Sequence, residues 1–211
     1  MSQHGAPIIC WMPSPATPAT DADESLMLRY AADDMAAFDT LYGRHEMGVW
    51  RFVLRSVRDP ALADDLLQDV WFAVVRHAAS YQPTARFKTW LFTVAHNRVV
   101  DHFRTARNHV SLDGDADGGA EGGGAGALGD RLAADSGFGP VRQLQSREQA
   151  AALIEAVEQL PPEQREAFLL QAEAGMAVEE IARTTGTSFE TAKSRLRYAR
   201  TFLRRRLQEF A

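Results

Sequence analysis

The chain has 211 residues, 45% of them hydrophobic, with 23 Lys and Arg against 28 Asp and Glu for a formal net charge of −5. That size suits one large domain or two small ones, and no apolar run approaches the ~20 residues a membrane span needs, so no membrane insertion is expected. A lone cysteine, Cys10, excludes an internal disulfide and a multi-cysteine zinc site, which fits a reducing cytoplasm.

Residues 1–23 read as a disordered tail. Met1 to Thr20 lacks the basic cluster and apolar block of a signal peptide, and Pro7, Pro13, Pro15 and Pro18 interrupt it around a short sticky patch, Ile8 to Met12. From Glu24 the pattern turns helical. Phe38, Leu41, Tyr42, His45, Val49, Phe52 and Val53 recur at three- and four-residue spacing. Asp59-Pro60 predicts a helix start, with Asp as cap and Pro at the first helical position. Leu62, Leu66, Val70 and Val74 then form a stripe, widened by Leu67, Trp71 and Val75. Ser80 to Thr84 breaks the pattern, and a last helix carries Phe87, Leu91, Val94, Ala95 and Val99. Domain one is expected over 24–110.

The stretch 111–140 holds Asp113, Asp115, Asp117, Glu121, Asp130 and Asp135 against Arg131 alone, among many glycines. It accounts for the whole negative excess and reads as a flexible acidic linker. Net charge is therefore a poor guide to partners here, and local faces matter more. Domain two is expected over 141–211. Leu153, Val157 and Leu160 end one helix, Pro162 opens another that closes near Gly175, and Val178 to Thr185 forms a short helix before Gly186. A long helix follows from Phe189, with Thr187 and Glu190 at capping-box spacing. No alternating apolar run bounded by turns occurs, so the fold class is all-α: two small helical domains and a linker.

The two helices around Gly186 make a helix-turn-helix candidate, with Ile181, Ala182, Ala192 and Leu196 turned inward. On the second helix Ala192, Leu196, Ala199, Leu203 and Leu207 form an apolar stripe beside Lys193, Arg197, Arg200 and Arg204. From Lys193 onward there are seven bases and one acid, Glu209. A helix fits the major groove of duplex DNA, where arginine and lysine reach guanine edges and phosphates. The plain alternative is a solvated basic face favoured by the helix dipole. In domain one, Asp65, Gln68 and Asp69 share a helix face, and Lys88, Asn97, Asp101 and Arg104 are expected to share another. The Asp64/Asp65/Asp69 cluster has no evident third ligand group, His96 and His102 are six apart, and no glycine-rich phosphate loop or Ser-His-Asp arrangement appears. No catalytic residue, metal or cofactor is expected.

Three blocks in order resemble the extracytoplasmic-function group of sigma factors. They are Ala63 to Phe72, then Phe87 to Asn97 with Asp101, then Leu160-Pro161-Pro162-Glu163-Gln164-Arg165 with Glu179 to Ala182 and Thr191 to Leu196. The resemblance implies a chain that carries core RNA polymerase to promoters. Asp65, Gln68 and Asp69 would meet the basic clamp of the polymerase β′ subunit, and the β flap is a second expected contact. Tyr81, Arg86, Lys88, Trp90, Asn97 and Arg104 would open and read the minus-ten element, with a base held flipped out near Asn97 and the 81–84 loop. Tyr81 read without the family is a loop anchor. Thr191, Lys193, Ser194, Arg195, Arg197, Tyr198 and Arg200 would read the minus-thirty-five element. Tyr198 stands where the family often has a base, which unsettles specificity at one position. Promoter DNA, core polymerase and an anti-sigma factor are the implied partners. Two other classes compete: a helix-turn-helix regulator that never meets polymerase, and a metal-dependent hydrolase built on the acidic cluster.

Overall fold

The computed structural model describes residues 22–112 and 140–208, with side chains placed at 22–106 and 149–208. Every regular element among the described residues is helical. The tail with Cys10 and the acidic stretch 113–139 lie outside the described residues.

The N-terminal group holds α1 (Asp23–Ala31), α2 (Met35–Val57), α3 (Pro60–His77), a 3-10 turn (Ala78–Ser80) and α4 (Phe87–Leu112). Local chemistry fixes each start. Asp34 Oδ1 accepts the N–H groups of Ala36 and Ala37 at 3.1 and 3.3 Å. Asp59 does the same for Ala61 and Leu62 at 2.9 and 3.2 Å, with Pro60 at the first position as the sequence predicts. The first N–H of α4 is capped from a distance: Phe87 N–H donates to Glu24 Oε1 at 2.6 Å. Asp23, counted in the sequence as tail charge, is the first residue of α1 and meets Arg44 and His45 of α2, each at 2.7 Å. Thus α1 is a short strut that ties α2 to α4. Phe52, Phe87, Phe92, Leu41, Leu91, Val49 and Val70 are fully buried between the helices.

The C-terminal group holds α5 (Pro140–Glu158), α6 (Pro162–Ala174), α7 (Val178–Thr184) and α8 (Phe189–Gln208). Gly175 ends α6 at φ +66°, its N–H on Gln171 O at 3.0 Å and Met176 N–H on Leu170 O at 3.3 Å, a closure that only glycine adopts cheaply. Two expectations need correction. Leu153 is 39% exposed, because Ala152 and Ala156 turn inward instead and let α5 lie close on α8. The cap of α8 is Ser188, whose Oγ accepts Thr191 N–H at 3.1 Å, while Thr187 turns its hydroxyl to Thr185 at 3.1 Å; the Thr187/Glu190 box does not form.

The linker alone does not describe how the halves relate. Helices α2 and α4 pack directly on α6 and α7 along a seam.

Candidate functional site

The first surface is the outer side of α3. Its inward stripe, Leu66, Val70 and Val74, is buried, which turns Asp65, Gln68 and Asp69 to solvent. Asp65 and Gln68 border a groove of about 620 Å³ whose apolar side is Leu67, Phe72 and Val75. Phe72 and Val75 are 55% and 42% exposed, so Val75 leaves the core stripe it was assigned to. Asp69 is exposed one turn on, outside the groove lining. Phe38 and Tyr42 form the floor against Trp71, with centroids 5.7 and 4.9 Å from it. Asp64 is a structural anchor, its Oδ1 accepting Trp50 Nε1–H at 2.7 Å. No group of three His, Cys, Asp or Glu side chains that could hold a metal occurs among the described residues. A mixed acidic and apolar groove suits a protein partner with basic and hydrophobic side chains.

The second surface is the 81–86 loop with α4, and the expected minus-ten residues divide over it. Tyr81 is 9% exposed, its ring edge-on to Phe87 and Trp90 at 6.2 and 5.3 Å. Burial, with Glu24 and Asp23 adding to it, pushes its hydroxyl up to about 12. Tyr81 therefore anchors the loop in this structure, and its faces are not open to a base. Gln82 and Thr84 are exposed at the loop tip, and Trp90 is half-buried. Nine residues separate Lys88 from Asn97, half a turn of helix rotation at about 100° per residue, so the expected shared face does not exist. Asn97, Asp101 and Arg104 are exposed together, with Arg104 3.2 Å from Asp101. Lys88 lies on the other side, in the seam with Arg44, Arg51 and Glu173. Arg86 reaches across the seam to Gly175 O and Glu180 Oε2, at 2.9 and 3.0 Å.

The third surface is α8. Ala192, Leu196, Ala199 and Leu203 are at most 5% exposed and pack on α6 and α7. Gly186 makes the turn before it at φ +64°. Lys193, Arg197, Tyr198, Arg200 and Arg204 consequently face solvent, with Thr191, while Ser194 and Arg195 are half-buried at the edge. Arg197 lies over the Tyr198 ring, 5.1 Å from its centroid, so Tyr198 splints a cation rather than replacing one. Arg200 is tethered to Gln171 Oε1 of α6. Seven bases on one helix are repelled from one another and gain by meeting a polyanion.

Sequence reasoning missed the groove residues Leu67, Phe72 and Val75 as a surface. The available signal was excess width, since apolar positions on α3 span more of the circumference than one buried stripe needs. It also missed the seam partners of Arg86 and the seam position of Lys88, for which no local pattern exists.

Comparison with known proteins covers the same parts of the chain. The family model for sigma-70 region 2 matches residues 41–109, and that for sigma-70 region 4 matches residues 150–203. The chain is 34% identical over 169 residues to RNA polymerase sigma factor CarQ of Myxococcus xanthus, covering 80% of this chain and 88% of that one. It is 30% identical over 186 residues to ECF RNA polymerase sigma factor SigM of Mycobacterium tuberculosis, covering 88% and 85%. Among solved structures, sigma factor RpoE bound to anti-sigma factor NepR from Bartonella quintana matches the fold with a TM-score of 0.58 at 22% identity, over 81% of this chain and 96% of that one. CnrH in complex with the cytosolic domain of CnrY matches with a TM-score of 0.57, also at 22% identity, over 90% of this chain and all of that one.

Proposed function

The chain belongs to the extracytoplasmic-function RNA polymerase sigma factors, and from that premise we propose how its surfaces divide the work. The α3 groove binds the clamp of core polymerase, Asp65 and Gln68 setting register by charge while Phe72 and Val75 supply apolar contact. The exposed side of α4, with Asn97 and Arg104, and the loop tip at Gln82 and Thr84 hold the opened minus-ten strand. The exposed bases of α8 enter the minus-thirty-five groove, with Lys193, Arg195 and Arg197 nearest the bases and Arg200 and Arg204 on phosphates. The chain acts by binding, with no catalytic group of its own, and work on chromosomal DNA places it in the cytoplasm. An anti-sigma partner is the expected regulator.

The observation that carries this reading is that one chain exposes a mixed acidic and apolar groove on α3 and a strongly basic face on α8. A DNA-binding regulator uses only the second. Promoter-dependent run-off transcription with purified core polymerase is the test. The full chain should support it, and Phe72→Ala with Asp65→Ala should lower core affinity by about tenfold or more, the scale of losing an interface anchor, without changing duplex binding. A chain that binds promoter duplex yet never associates with core polymerase would return the regulator reading.

A further inference from the structure

The seam between the halves has a one-sided charge pattern. Among the described residues, the side-chain charge pairs that cross it run one way, cations of the N-terminal group meeting acids of the C-terminal group. Arg51 of α2 grips Glu173 of α6 with two hydrogen bonds, at 3.0 and 2.8 Å. Arg55, 8% exposed, lies in the fields of Glu173 and Glu158. Arg58 donates to the Glu158 carbonyl at the end of α5 at 2.6 Å. His96 Nδ1 stands 2.9 Å from Glu166 Oε1. Arg86 and Thr89 both donate to Glu180, at 3.0 and 3.1 Å. Glu166, Glu173 and Glu180 follow one another at seven-residue intervals.

We propose that this seam is a self-docked state, in which Glu173 and Glu180 occupy a strip of the N-terminal group, formed by Arg51, Lys88 and Arg86, that binds the phosphate backbone of unpaired promoter DNA once the halves part. The proposal rests on the sigma-factor reading of α4 and adds Arg51, a residue of α2, to its DNA-facing set. A carboxylate gripped through two guanidinium N–H groups is the geometry in which arginine also holds a phosphate. Between the halves, Arg51, Lys88, Arg44 and His45 surround a cavity of about 390 Å³ in which Glu173 is the acid. The glutamates thus stand where backbone phosphates would, and the exposed loop residues Gln82 to Ala85 run directly into Arg86. A seam made of charge pairs is separable: salt screens it, and a denser polyanion outcompetes single carboxylates. Docked, the chain engages Arg51 with Glu173 and Arg86 with Glu180 and binds unpaired DNA poorly. Undocked, it frees both arginines, and Lys88 beside them, for phosphate.

The test uses the full free chain and a fluorescein-labelled single-stranded oligonucleotide, read by anisotropy, with small-angle scattering in parallel. Glu166→Gln with Glu173→Gln removes two acids, while Glu180 is kept because it also accepts Ala177 N–H at the start of α7. This variant should widen the scattering envelope and bind the oligonucleotide about tenfold tighter, the scale expected when a few cations are freed for phosphate. Adding Arg51→Gln should erase most of that gain. The exchange Arg51→Glu with Glu173→Arg should restore a compact chain that binds no better than the parent, which separates loss of the seam from loss of folding. An unchanged envelope and unchanged affinity in the two-glutamine variant would overturn the self-docked state. A widened envelope without tighter binding, or a gain that survives Arg51→Gln, would overturn the phosphate strip. Neither result involves polymerase. Parent chain that transcribes with core enzyme while these outcomes fail leaves the sigma-factor reading intact.

Discussion

The two halves of the molecule hold a charged helix face rigidly toward solvent with different cores. The N-terminal half uses bulk. Phe52, Phe87 and Phe92 are at most 1% exposed, Phe52 meets Phe92 edge-on at 5.7 Å, and carboxylates at the rim hold buried partners in place: Asp23 on His45, Asp64 on Trp50, Glu24 on the first N–H of α4. The C-terminal half uses closeness. Its buried positions include Ala152, Ala156, Ala167, Ala174, Ala182, Ala192 and Ala199, with leucines between them, so helix backbones approach and small changes in size move a whole helix. The first design gives a heavy platform whose aromatic edge emerges at Phe72 in the α3 groove. The second gives a light frame that turns the basic side of one helix to solvent and depends on close fit more than on buried area.

The largest test of that contrast is a pair of cavities. Phe92→Ala should cost about 3–5 kcal/mol and Leu196→Ala about 2–5 kcal/mol, with the aromatic cavity the more damaging of the two. Chemical denaturation of the full chain measures both. If Leu196→Ala proves the costlier, the N-terminal half is not the heavier platform. A smaller effect separates fit from area. Ala199→Leu inserts bulk at a fully buried position of α8 and should cost about 1–3 kcal/mol by overpacking. Its duplex affinity should fall by more than its stability predicts, because the added side chain tilts the basic face. Gly186→Ala, at φ +64° with open space around the added carbon, should cost about 1–2 kcal/mol from the backbone alone. Filter or anisotropy titration with promoter duplex reads both variants, and Ala199→Leu binding DNA normally would argue against the close-fit frame.

The same contrast explains what the sequence discloses. The C-terminal frame is almost fully legible, since Ala192, Leu196, Ala199 and Leu203 obey one helical period, Ile181 and Ala182 face them from α7, and Gly175 and Gly186 punctuate the helices; all six are buried and both glycines have positive φ. The starts at Asp59-Pro60 and Pro162 were equally plain, because caps act over two or three residues. What was hidden is long-range. Arg51 meets Glu173 122 residues away, and Arg86 meets Glu180 94 residues away; no periodicity encodes such pairs. Tyr81 illustrates the same limit, for loop chemistry suggests an open aromatic while tertiary packing buries it between Phe87 and Trp90. Shared polarity suggests one face for Lys88 and Asn97, although helix rotation alone sets them half a turn apart.

The smallest expected effect isolates a polar anchor that only the N-terminal half has, for no histidine occurs between residues 140 and 211. His45 is 7% exposed, with Asp23 on its Nε2 at 2.7 Å and the Phe87 ring beside it. Burial pulls its pKa down, Asp23 of α1 pushes it up, and Lys88 of α4 and Arg44 of α2 pull it down again; the outcome lies below the ordinary 6.5. The unfolded chain then binds a proton at a pH where the folded chain does not, so stability rises with pH across that window. His45 contributes fully above about 6.5, and its contribution is lost as pH falls from there toward the folded value. His45→Gln should flatten the dependence, measured by urea denaturation between pH 5 and 8, with His96, which faces Glu166, replaced by Gln in both proteins. The opposite slope, stability falling as pH rises, would mean that the Asp23 ion pair outweighs burial at this site. The aromatic platform would then be held by a charge pair where packing is argued to dominate.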